Sequence, residues 1–305
     1  MIEIQALISE PEFAKAQRVT IIDASNTARL ASYIVRNRKK VARPLLSLWR
    51  AMAEFITPEE AKRAIRVGGV PIEWEKEWGR AIGEFVKGDL GRIETAVFSE
   101  VGGEVARRVN ALPRKEFVFG VTKLRVKKRI TDHGAKLIKQ LTDAQIAAIK
   151  TALRSFISFE SRTPYQLAVR LRNLVGLGER YAKAVFNLEQ GLRASGLAEE
   201  TIVRQVKEYA TFLHKVRAEN IARTELSFAY NAGQLEAIGQ AREDGWLVGD
   251  VYKIWNTTGQ SGRVCEECEE LDGVDIPADG VFPGGVEAPP LHSSCGCSCS
   301  FEVRR

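Results

Sequence analysis

All five cysteines of this 305-residue chain lie after position 264, at Cys265, Cys268, Cys295, Cys297 and Cys299, together with His292, one of three histidines. An odd number of thiols gathered at one end does not suit a disulfide framework spread through a fold. It suits a local metal clip in a reducing compartment. The segment around them is rich in glycine and proline and poor in large apolar side chains, so burial alone stabilises it weakly and a clip has a physical motive.

The spacing fits such a clip. In "VCEEC" two residues separate Cys265 from Cys268, which brings two thiolates to the edge length of a tetrahedron around zinc. "HSSC" offers His292 and Cys295 as the second half of a closed site. Cys297 is an alternative fourth ligand, because alternation along a strand puts Cys295, Cys297 and Cys299 on one face. A Cys268–Cys295 disulfide and free thiols are the competing readings. Glu266, Glu267, Glu269 and Glu270 crowd the first pair, a poor environment for thiolates unless a cation is present. Four protein ligands leave no open coordination position, so the ion would be structural.

Most of the remaining chain reads as helix. "TPEEAKRAI" starts one at Thr57 with Pro58 first and Glu60 as capping-box partner, and "TPYQLAVRL" repeats the device at Thr163, Pro164 and Gln166. "TDAQIAAIK" predicts a third start at Thr142 with Gln145. Ile202, Val206, Tyr209, Leu213 and Val216 line up as one helical stripe. His133 and His214 receive no chemical role. "EFVFGVTKLRVKKRI" alternates from Val121 onward and predicts a strand or hairpin, and a second strand is expected over Val251 to Trp255. These readings give a mainly α fold, an elongated helical body with a small C-terminal α+β module held by zinc. The expected units are 1–130, 131–244 and 245–305.

Nine acidic residues oppose two arginines from Cys265 onward, which leaves 43 basic and 30 acidic residues, +13, on the first 264. A body of that sign can face phosphates. The candidate clusters are Arg36, Arg38, Lys39 and Lys40, and Lys123, Arg125, Lys127, Lys128 and Arg129. Strand alternation would put Lys123, Arg125 and Lys127 on one phosphate-tracking face. No apolar run reaches membrane-spanning length, and the first residues lack the lysines of a signal peptide. Phosphate-loop, G-x-S-x-G and H-E-x-x-H patterns are absent, so an enzyme is not expected.

The order "IARTELSFAYNAGQLEAI", "YKIWNTTGQSGRVCEECEELDGV" and "PPLHSSCGC" resembles the C-terminal region of the Mu F-like head-morphogenesis proteins, minor head proteins of tailed bacteriophages. The match rests on Ile221 to Glu225, Trp255, Arg263 to Cys268, Leu271 to Gly273 and Pro289 to Cys297. It departs at Ser293, where proline is usual, and at Gly296, where arginine is common. The resemblance implies a minor capsid protein inside the virion near the portal vertex, made in the host cytoplasm. Its implied partners are the portal protein, the inner capsid surface and double-stranded DNA bound without sequence preference. Fusions of family members to toxin or transferase domains keep a transferase as a remote alternative, and a metal-dependent nuclease is another. A buried ion pair from Arg223 or Glu225 to the zinc-supported module is the expected role of the "ARTE" segment.

Overall fold

The structure, a computed structural model, describes residues 18–112, 116–157, 163–258 and 264–304, the side chains of 154–157 excepted. It is mainly helical with one small sheet. Strand β1 (Val19–Ile22) leads into helix α1 (Asn26–Glu54), then α2 (Pro58–Arg66), α3 (Ile72–Phe85), a π-helical turn (Val86–Leu90) and α4 (Gly91–Asn110). Helices α5 (Leu124–Ile157), α6 (Pro164–Arg172), α7 (Glu179–Ala194) and α8 (Glu199–Glu243) follow, and then β2 (Asp250–Asn256), the single turn α9 (Glu266–Glu269), β3 (Asp275–Pro277) and β4 (Ser298–Arg304).

The capping signals act largely as their chemistry dictates. The Thr57 side chain accepts from the Glu60 amide at 3.2 Å, but the Glu60 carboxylate serves Trp74 Nε1 instead of reaching back to Thr57. At Thr163 both halves of the capping box form, and Pro164 opens the helix. Thr142 starts nothing: it lies inside α5, where its hydroxyl donates to the Ile138 carbonyl and Gln145 accepts from the Gly176 amide. A threonine caps only with extended backbone, and the helix formers before it keep the chain helical.

The strand expected from Val121 is also helix, from Leu124 onward. Val126, Leu137 and Leu141 are buried and Ile130 packs beside them, a helical spacing that the short alternating run concealed. Residue 130, where one unit was expected to end, falls within this helix. The β2 expectation holds, and Gly245 ends α8 with φ +74°. Gly245 N donates to Arg242 O and Trp246 N to Ala241 O, the paired bonds of a Schellman cap.

Helix α8 organises the rest. Its first half is amphipathic: Ile202, Val206 and Leu213 are buried, Tyr209 and Val216 partly so. From Glu225 to Ala241 nearly every side chain is buried. Small residues make that possible, and at Gly233 a Cβ would stand 3.2 Å from the Phe98 Cα, so α4 could not lie so close against a larger residue.

The sheet order is β1-β4-β2-β3, all neighbours antiparallel. The C-terminal strand is therefore central, and it pairs with the strand that opens the described chain. Val19 faces Val303, and Val251 faces Val303 from the other side. Cys297, Cys299, Phe301 and Val303 join Val105, Val109, Leu235 and Ile238 in one apolar cluster beneath the sheet.

A buried polar junction fastens these parts. Asn26, at the start of α1 and fully buried, donates from Nδ2 to Gln234 Oε1 at 2.8 Å and to Cys299 O at 2.7 Å. Its Oδ1 accepts from Gln234 Nε2 at 2.9 Å and from Tyr230 Oη at 3.0 Å. Every hydrogen-bonding position of one amide is used. Replacing Asn26 with leucine is expected to lower unfolding free energy by about 3 kcal/mol, because several buried partners lose their bonds together; urea denaturation measures this.

Candidate metal centre

Cys265 precedes α9 and Cys268 lies on it, with the Cys268 amide donating to Cys265 O at 3.0 Å. A second turn mirrors it: the Cys295 amide donates to His292 O at 3.2 Å. Between them Ser294 adopts φ 62°, the only non-glycine left-handed residue among those described. The cost of that conformation is offset by an outside anchor, because Ser294 N donates to Thr224 Oγ1 on α8 at 2.9 Å.

The two turns bring their side chains together. His292 Nε2 lies 3.1 Å from Cys265 Sγ and 3.3 Å from Cys268 Sγ, and Cys268 Sγ lies 3.8 Å from Cys295 Sγ. Thiolates ~2.3 Å from a tetrahedral zinc stand about 3.8 Å apart, so the sulfur pair already has the required edge. His292 Nδ1 lies 2.9 Å from Ser293 O, which suits a proton on Nδ1 and leaves the Nε2 lone pair facing the sulfurs. Two triads result, Cys265–Cys268–His292 and Cys268–Cys295–Cys297, sharing Cys268 and each able to hold a metal ion. All five cysteines are free thiols.

The buried thiols strongly influence one another's protonation. Burial, then the neighbouring Cys295 thiolate, pushes the Cys268 thiol up to about 12. The Cys297 hydrogen bond pulls Cys295 down to about 5, and the same contact drives Cys297 upward. One thiolate is readily available and its neighbours resist losing theirs, as close negative charges must in the absence of a positive one. Cys299 belongs to neither triad. It is buried opposite Trp255 in the β2–β4 ladder, and burial pushes it up to about 12, so it acts as a core side chain.

The segment expected to tie helix to module does so differently. Arg223 is exposed, its guanidinium beside Gly296, and Glu225 faces away, 2.6 Å from His133 Nε2. Thr224, between them, makes the link through Ser294. Arg263 lies outside the described residues.

The basic clusters are largely engaged. Arg125 is two residues from both Lys123 and Lys127 and diverges from them on a helix, so the three share no face. Arg125 and Arg129 both bind the buried Glu236, and Arg129 also reaches Glu287 at 2.6 Å. Lys123 meets Asp244 at 3.4 Å and Lys128 meets Asp132 at 2.8 Å, while Lys127 is exposed. On α1, Arg38 approaches Glu219 at 3.7 Å, whereas Arg36, Lys39 and Lys40 are exposed. His214 is half-buried against Trp49, with Nε2 2.7 Å from Val175 O; burial lowers its pKa and holds it neutral.

Residues 184–300 match the family described as phage Mu protein F like protein. That stretch, which is similar to this family, holds all of α8 and every member of the thiol cluster. No curated protein and no solved structure matches the chain. Among the described residues no helix is long and apolar enough to cross a membrane.

The donor set predicts one thiolate-bound divalent ion per chain, measurable by elemental analysis of protein purified without chelator. Cys268→Ser should abolish it, since Cys268 belongs to both triads, and Cys297→Ser should retain it. Binding should weaken as pH falls, because the raised thiol of Cys268 must release its proton to the metal.

Proposed function

We propose that this protein is a head-morphogenesis protein of a tailed bacteriophage, a minor capsid component acting at the portal vertex, whose Cys265–Cys268–His292–Cys295 cluster holds a structural zinc ion. The family match over residues 184–300 carries the reading. The physical arrangement supports it: the matched stretch is the spine of the fold, and its closed donor set serves architecture better than catalysis. Zinc here supplies cohesion to a loop-rich end, and the reading contains no catalytic step.

Within this reading the portal protein and the inner capsid surface are the partners. The expected outcome is recovery of the protein from purified particles, with cross-links to the portal. Recovery from the cytosol of infected cells alone, never from particles, would overturn it.

One observation favours a second activity, nonspecific binding of the packaged DNA. Arg36, Lys40, Arg43 and Arg50 are all exposed on α1 and step by 4, 3 and 7 residues, which aligns them as one basic stripe with Lys39 at its edge. Phosphate contacts of this kind are sequence-independent and salt-sensitive. Filter retention of mixed-sequence duplex should fall with added salt and drop at least tenfold when Arg36, Lys40 and Arg43 become glutamate. Retention unchanged by either would reject DNA binding and leave the head-protein reading standing.

A further inference from the structure

Three helices meet at a second cluster with quite different chemistry, which Glu225 joins one residue along α8 from the Thr224 anchor of the thiol turns. Glu94 from the first turn of α4, His133 from α5 and Glu225 from α8 place one ligand atom each within 4.8 Å of one another. Glu94 is 2% exposed and Glu225 4%. Glu225 Oε2 lies 2.6 Å from His133 Nε2, and the imidazole lies flat on Phe228, ring centroids 3.5 Å apart at 10°. The stack fixes the ring plane with its nitrogen directed at the carboxylates.

Glu94 Oε1 is buried and has no hydrogen-bond partner. Among the described residues Glu94 has no ion pair either, unlike the buried Glu236 with its two arginines. A buried carboxylate left so is costly unless it is protonated or meets a cation. Burial and the adjacent Glu225 push Glu94 up to about 9, the response expected of two carboxylates sharing a site with no cation between them.

We propose that Glu94, His133 and Glu225 form a second metal site, for one divalent first-row cation of the Mn²⁺, Fe²⁺ or Zn²⁺ type. Two carboxylates and one imidazole are the oxygen and nitrogen donors such ions take, in contrast to the soft sulfur set of the cysteine cluster. Ligand atoms ~2.1 Å from one ion stand about 3.0–3.4 Å apart, so the 2.6 Å His133–Glu225 contact must widen while Glu94, within 4.8 Å of both, draws in. The cation would neutralise both buried carboxylates, give Glu94 the partner it lacks and cross-brace α4, α5 and α8. Three protein ligands leave coordination positions for water, and His133, 23% exposed in its side chain, marks the route in.

The test uses the full-length protein and Mn²⁺, which thiolates bind weakly, followed by loss of the free-ion paramagnetic resonance signal. One Mn²⁺ per chain is expected, with affinity reduced at least tenfold in Glu94→Gln and His133→Gln and unchanged in Cys268→Ser. Glu94→Gln keeps side-chain shape and stands in for the protonated carboxyl, so it folds, and circular dichroism verifies this. A parallel Zn²⁺ titration of Cys268→Ser should show a remaining site that Glu94→Gln removes. Absence of both Mn²⁺ and Zn²⁺ binding outside the cysteines, or binding indifferent to Glu94→Gln, would overturn the proposal.

Discussion

The amide of Asn26 is the interaction on which the arrangement of the two chain ends depends. It joins the start of α1, the middle of α8 and the backbone of β4 at one buried point, with no unused donor or acceptor. Around it, Thr27 Oγ1 meets Ser298 Oγ at 2.9 Å, and Asn231 donates from Nδ2 to Cys297 O at 3.3 Å. Buried amides paired this fully specify geometry, since any slip of β4 along α8 would strand several polar groups at once. Hydrophobic contact alone would tolerate such a slip, because it is not directional.

This junction changes the meaning of the cysteine cluster. The thiols sit on two turns whose positions are set from outside: Thr224 of α8 holds Ser294, and β4, which follows Cys297 directly, is flanked by β1 and β2. A cation gathered by those turns would therefore lock β4 onto α8 and onto the strand before α1. The stabilisation of a loop-rich end and the closure of the fold would then be a single event.

Much of this was legible in the sequence, and the rest was hidden for identifiable reasons. Cys265, Cys268, His292 and Cys295 are local pairs with metal spacing, so their convergence follows from short turns. Thr57 and Thr163 cap because the signal is contained in four residues. By contrast, Asn26 has its partners 204 to 273 residues away, and nothing near it marks a buried amide. Glu94, His133 and Glu225 come from three helices, so no spacing rule reveals them. The Val121 segment misled because a few alternating residues resemble a strand, and the stripe that makes them helical emerges only over Val126 to Leu141. The pairing of β1 with β4 was equally invisible, since four apolar-leaning residues at 19–22 are too few to announce a sheet partner.

The account's central claim is that the strand before α1, the middle of α8 and the thiol-bearing end unfold together. Native-state hydrogen exchange, read by mass spectrometry on the metal-loaded and chelator-treated protein, tests it most directly. The account predicts that amides of residues 19–22, 226–241 and 298–304 share one opening free energy and lose protection together when the metal is withdrawn. Loss of protection confined to residues 264–297, with the other segments unchanged, would contradict it.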